Sequence, residues 1–204
     1  DLPDLRMGCY EAGPQTDPTP LVLLHGWPEL AFSWRYQIKA FADAGRRVIA
    51  PDQRGYGATL GPAEVEAYDL DHLTGDIAHL LDHLKIDKAV TVGHDWGGIG
   101  GWGFPLRHPD RAAGVFGVNT PHLARSPVDP ITIFRKRFGA SHYIVRFQDP
   151  AREPDRIFAD NVENLFDFML RKPPPARMGG GPINLDFPSI VAAYDRARDA
   201  RPSI

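Results

Sequence analysis

One segment constrains the fold more than any other: Val90-Thr91-Val92-Gly93-His94-Asp95-Trp96-Gly97-Gly98. A β-favouring run enters a small residue, any residue, an aspartate, any residue and a small residue, and a helix is expected to follow. This is the pattern of a nucleophile elbow, a sharp strand-to-helix turn that lifts its central side chain clear of the sheet. In a turn that tight the two backbones leave no room for Cβ atoms at Gly93 and Gly97. Asp95 is then presented at the carboxyl end of the sheet, where open α/β folds bind ligands. An aspartate placed there attacks through its carboxylate, so the covalent product is an alkyl ester and not an acyl-serine. On its own, Gly93-His94-Asp95 also reads as a plain turn with Asp95 capping the next helix.

The remaining sequence supplies a sheet for such an elbow. Leu21-Leu24, a continuous apolar run entered through Pro18 and Pro20 and left at Gly26, suits a strand buried on both faces. Further short strands are expected over 47–50, 88–93 and 113–118. Between them, Ser33 is placed to cap a helix reaching about residue 44, with Trp34, Ile38 and Phe41 near one face. Leu70, Leu73, Ile77, Leu80, Leu81 and Leu84 fall at helical spacing behind the capping candidates Asp69 and Asp71. Strands alternating with helices demand crossover connections, hence an α/β architecture with a mostly parallel sheet and helices on its faces. The helix after the elbow is the poor one. It contains Gly97, Gly98, Gly100, Gly101, Gly103 and Pro105, so packing around Trp102, with a kink before Pro105, is expected to hold it.

After residue 121 the pattern changes. A helical stretch over 156–170 is closed by Pro173-Pro174-Pro175 and Gly179-Gly180-Gly181, and one more short helix is expected over 188–198. The expected division is therefore 1–121 for the α/β core and 122–204 for a helical insertion over the sheet.

Charge and composition remove several function classes. Lys and Arg number 23 against 26 Asp and Glu, a net charge of −3, which is the wrong balance for a surface that binds phosphates. The single cysteine, Cys9, cannot form an internal disulfide, and no apolar stretch approaches a membrane span. A cytoplasmic location is the expectation. His79 and His83 stand four apart, but no third ligand is evident, so no metal site is expected.

Two other segments bear on the same sheet edge. His25-Gly26-Trp27-Pro28 follows the first buried strand. Backbone amides there, with that of Trp96, are candidates for an oxyanion hole; Pro28 has no N–H, which leaves Trp27 as the donor. Asp52-Gln53-Arg54-Gly55-Tyr56-Gly57 follows the next strand and reads as a polar turn that stabilises its loop.

In this order the three segments closely resemble the α/β-hydrolase superfamily, specifically its epoxide hydrolases. Those enzymes carry a histidine-glycine-X-proline loop, an aspartate in a histidine-aspartate-tryptophan-glycine-glycine elbow, and a helical cap. The likeness extends over about 8–170. It implies that Asp95 is the nucleophile and that the Trp27 and Trp96 amides form the oxyanion hole. His25, Gly26, Pro28, Gly93, His94, Gly97 and Gly98 would complete the motifs. His142-Tyr143-Ile144-Val145-Arg146-Phe147-Gln148 resembles the family's cap segment, which makes Tyr143 the phenol that contacts the epoxide oxygen. The implied reaction converts a small-molecule epoxide and water to a vicinal diol without a cofactor, in a detoxifying role; a homo-oligomer is left open.

The order nucleophile, carboxylate, histidine is incomplete here. After residue 170 come Asp186, Asp195 and Asp199 but no histidine, and a second cap tyrosine is not recognisable. The chain is thus expected to be the N-terminal part of a longer enzyme, ending within the cap and inactive alone. Two alternatives stand beside this reading. A haloalkane dehalogenase uses the same aspartate, but usually has asparagine at the position of Trp27 and no cap tyrosine pair. A non-catalytic binding protein on a hydrolase scaffold would need no histidine.

Overall fold

The short apolar runs become strands because each can be covered from both sides. In the computed structural model, strands β1 (Cys9–Ala12), β2 (Leu21–Leu24), β3 (Val48–Pro51), β4 (Ala89–His94) and β5 (Ala112–Val118) form one sheet. Their order is β1-β3-β2-β4-β5. The three pairings other than that of β1 are parallel, and β1 runs antiparallel along β3. The structure describes residues 1–122, 124–140, 142–148, 150, 154, 158 and 162. Two compact units are present, Asp1–Leu123 and Ala124–Ile204.

Alternation along β2 sorts the first unit's core into two layers. Val22 and Leu24, with Ile49, pack against Ile77, Leu80 and Leu81 of helix α2 (Leu70–His83) and Phe104 of helix α3 (Trp96–Arg107). Leu21 and Leu23, with Val48, Ala50 and Val92, pack on the other face against Trp34, Ile38 and Phe41. Ile38 and Phe41 belong to helix α1 (Arg35–Asp43). All four residues of β2 and all four of β3 are buried, as the unbroken apolar runs require.

Two details differ from the sequence reading, and two more refine it. Strand β1 is an exposed edge strand whose sequence, Cys9-Tyr10-Glu11-Ala12, carries no apolar period; it forms by pairing with β3. Ser33 does not cap α1. Ala31–Trp34 form a 3-10 turn, and the Ser33 hydroxyl donates within it to the Leu30 carbonyl (2.6 Å), so α1 starts at Arg35 without a side-chain cap. Of the two aspartates before α2, Asp69 is the cap, accepting from the His72 amide (2.9 Å), while Asp71 lies in the first turn and pairs with Arg107 of α3. Despite its composition, α3 runs uninterrupted from Trp96 to Arg107.

In the second unit, helix α4 (Pro130–Phe138) begins with Asp129 accepting from the Ile131 and Thr132 amides (3.2 and 3.0 Å) and with Pro130 in its first turn. Arg135, Lys136 and Arg137 occupy its last turn, where cations complement the helix dipole. Helix α5 (Tyr143–Arg146) follows. The helical stretch read over 156–170 lies outside the described residues apart from the buried Phe158 and Val162, and that over 188–198 lies wholly outside them. Among the described residues no helix is long and apolar enough to cross a membrane.

Candidate active site

Asp95 joins β4 to α3 with φ 52° and ψ −122°, a conformation that costs a non-glycine residue about 1–3 kcal/mol and persists only where its surroundings impose it. The imposition is steric. A Cβ on Gly93 would stand 2.1 Å from the Gly97 carbonyl oxygen, and one on Gly97 would stand 2.2 Å from that of Leu24. A Cβ on Gly98 would strike the Thr120 side chain at 2.5 Å. The Asp95 carbonyl accepts the first helical bonds from the Gly98 and Ile99 amides (2.9 and 3.1 Å). The capping alternative fails: the Asp95 side chain makes no cap bond to α3. Its Oδ1 instead accepts from the Trp27 amide at 3.0 Å.

That contact requires Gly26, where a Cβ would lie 2.5 Å from the Asp95 Cβ. The loop is turned by the Glu29 amide donating to the Gly26 carbonyl (3.0 Å), and the Trp27–Pro28 peptide is cis. His25 anchors it from beneath. The ring is fully buried; Nδ1 lies 2.9 Å from the Gly26 carbonyl and Nε2 lies 3.0 Å from the Gln53 amide. Since a backbone N–H can only donate, Nε2 is the acceptor and Nδ1 carries the proton. Burial, opposed by the bond to Gly26 and by Asp52 and Glu29, holds the His25 pKa below its ordinary value. His94 Nδ1 lies 3.2 Å from Glu29 Oε2, which also accepts from the Gly26 amide (3.4 Å), so one carboxylate links elbow and loop.

The polar turn after β3 braces both. Asp52 accepts from the Ala31 and Ala58 amides (2.9 Å each), and the Gln53 side-chain amide donates to the His25 carbonyl. The Tyr56 ring meets the His25 ring edge-on at 4.9 Å. Burial, then the charges of Asp95 and Tyr68, push the Tyr56 phenol well above its usual pKa, so it stays protonated. A cavity of about 460 Å³ opens beside Asp95, with Ile99, Trp102, Leu106, Arg107 and Thr120 in its wall.

Residues 19–143 match the model of the alpha/beta hydrolase fold family. The chain belongs to the α/β-hydrolase family. Within that family its relatives include Epoxide hydrolase A of Mycobacterium tuberculosis, 49% identical over 81% of this chain and 51% of that protein. Epoxide hydrolase 3 of Siraitia grosvenorii is 42% identical over 74% of this chain and 48% of the other. The crystal structure of Epoxide Hydrolase A from Mycobacterium thermoresistibile superposes with a TM-score of 0.75 at 42% identity, over 81% of this chain and 53% of that one. This α/β-hydrolase chain thus spans about half the length of the curated relatives it matches.

The structure brings Asp95, His94, Trp27, Gly26, His25 and the three elbow glycines of this hydrolase fold together. The Trp96 amide, at the first residue of α3, is among the N-terminal donors that no helix carbonyl accepts, and it makes no bond to the Asp95 carboxylate among the described residues. Tyr143 lies in the second unit, its ring against His142 (4.8 Å) and Phe147 (5.5 Å). Glu29, through His94, and Tyr56, through His25, join the site by contacts between residues far apart along the chain. Of the described residues, no three His, Cys, Asp or Glu side chains are grouped to hold a metal ion.

Proposed function

We propose that the chain carries the nucleophilic site of an epoxide hydrolase that forms and then hydrolyses an aspartyl ester. The observation that carries this reading is the Trp27 amide on Asp95 Oδ1 at 3.0 Å. It leaves Oδ2 as the oxygen that attacks. Oδ2 bonds to an epoxide carbon from the side opposite the ring oxygen, and that C–O bond breaks. The alkoxide so formed takes a hydrogen bond, then a proton, from the Tyr143 phenol. Oδ1 becomes the ester carbonyl oxygen, already beside the Trp27 amide. When water adds, negative charge collects on Oδ1, where the Trp27 and Trp96 amides stabilise it. Collapse breaks the Cγ–Oδ2 bond, so the diol leaves with Oδ2, and Oδ1 with the water's oxygen makes the restored carboxylate. The base that activates this water, its orienting carboxylate and a second tyrosine are assigned to residues outside the matched stretch.

Relatives named epoxide hydrolases at 42–49% identity support an epoxide over a haloalkane as substrate class. The full-length protein turning over an epoxide in ¹⁸O-water is expected to place label in the Asp95 carboxylate, because the diol leaves with Oδ2 and the attacking water's oxygen takes its place in the regenerated acid at each turnover. Asp95→Asn is expected to form no ester. Unlabelled Asp95 after many turnovers refutes the mechanism.

A further inference from the structure

Pro105 has no N–H, and four residues before it Gly101 loses the donor its carbonyl would have in an ordinary helix; the proline ring also crowds that carbonyl. Yet α3 does not break there. The hydroxyl of Thr91 donates to the Gly101 carbonyl at 3.2 Å. Thr91 is fully buried in the middle of β4, its backbone registered between Val22 of β2 and Val115 of β5. Val92 packs on the α1 face of the sheet, so alternation puts Thr91 and Gly93 together on the α3 face.

We propose that Thr91 is a positioning residue for Asp95: its hydroxyl replaces the amide that Pro105 lacks, pins α3 to β4, and so fixes the angle of the elbow between them. The elbow has two arms. They touch at the near end, where Gly93 meets the Gly97 carbonyl, and again one turn further on, where Thr91 meets Gly101. The near contact is steric and sets how closely the arms approach. The far contact is directional and sets how α3 is rotated against the strand. Asp95 sits at the vertex with a left-handed φ of 52°, which it keeps only while both arms are fixed. Valine at position 91 has nearly the same shape but leaves the Gly101 carbonyl buried without a donor, so α3 must tilt to find one. This inference rests on the reading of Asp95 as nucleophile.

The test uses the full-length protein with styrene oxide as substrate. It measures single-turnover formation of the Asp95 ester by quenching and peptide mass, alongside substrate affinity and Tm. Thr91→Val is expected to slow ester formation on the order of tenfold to a hundredfold, the effect of a small misplacement, with substrate affinity unchanged. Thr91→Ser, which keeps the hydroxyl, is expected to stay near the parent rate. Pro105→Ala returns the amide to Gly101, so Thr91→Val made in that background is expected to be silent. A Thr91→Val variant that loses Tm but forms ester at the parent rate overturns the proposal, as does a loss that Pro105→Ala does not relieve. Should Thr91→Val alone fail to fold, a parent rate of ester formation for Thr91→Val in the Pro105→Ala background supports the proposal, and a slowed rate there overturns it. Absence of any ester in the parent protein counts instead against Asp95 as nucleophile, and the two failures are thereby distinct.

Discussion

At the scale of single residues the site depends on what is missing as much as on what is present. Gly26 has no side chain, and that absence lets the Trp27 amide reach Asp95. Gly26→Ala is expected to drive loop and carboxylate apart and to cost roughly 10²–10³ in kcat, as loss of one oxyanion donor does; steady-state kinetics of the full-length protein is the check. His25 gives a pH prediction. Its folded pKa lies below the ordinary 6.5, chiefly because the ring is buried. Below about pH 6.5 the unfolded chain therefore binds a proton that the folded ring refuses. The stability from this ring is complete above that pH and is lost as pH falls through the depressed folded value. Tm is expected to drop more steeply for the parent than for His25→Gln as pH falls below about 6.5. Equal slopes would mean that another group accounts for the acid sensitivity.

At the scale of elements, α3 shows which glycines are structural. Gly97 abuts the Leu24 carbonyl, whereas a Cβ on Gly100 would meet nothing within 4 Å. Gly100→Ala is accordingly expected to stabilise the protein by about 1 kcal/mol through helix propensity. Gly97→Ala is expected to destabilise it by about 3 kcal/mol or more, because backbone must move. Denaturant unfolding of the two variants separates these signs. The strand-glycine-helix pattern made the elbow legible in the sequence, since Gly93 and Gly97 have no other reason to recur at that spacing. The continuity of α3 was not legible. Its repair comes from Thr91, ten residues away on another element, and single-helix propensities contain no such term. The exposed strand β1 was hidden for a related reason, as its hydrogen bonds to β3 and not its side-chain pattern make it a strand. Ser33 misled because a hydroxyl that caps a helix and one that closes a 3-10 turn look alike in sequence.

At the scale of the whole molecule, three loops at the carboxyl ends of β2, β3 and β4 must hold one geometry, and buried polar side chains brace them from below. The short apolar strands made the parallel sheet, and hence the meeting of these loops, predictable. The braces from one element to another were not predictable, because each joins residues more than twenty positions apart. Arg54, on the β3 loop, donates to both oxygens of Asp76 on α2 (2.8 and 2.6 Å), and both side chains are almost entirely buried. The hydrogen bond to Asp76 raises the Arg54 pKa further, although burial opposes it, so the guanidinium stays charged at every working pH. Such a pair is a weak net source of stability, since desolvation offsets most of the attraction, but breaking it leaves a charge without water or partner. Asp76→Leu is therefore expected to cost about 3–5 kcal/mol, and Arg54→Met a comparable amount. The double variant leaves no charge behind and is expected to recover most of that loss. A double-mutant cycle in denaturant measures the difference. If the double variant is as stable as the parent but turns over epoxide more slowly, the ion pair contributes to the precision of the loop and not to the strength of the fold.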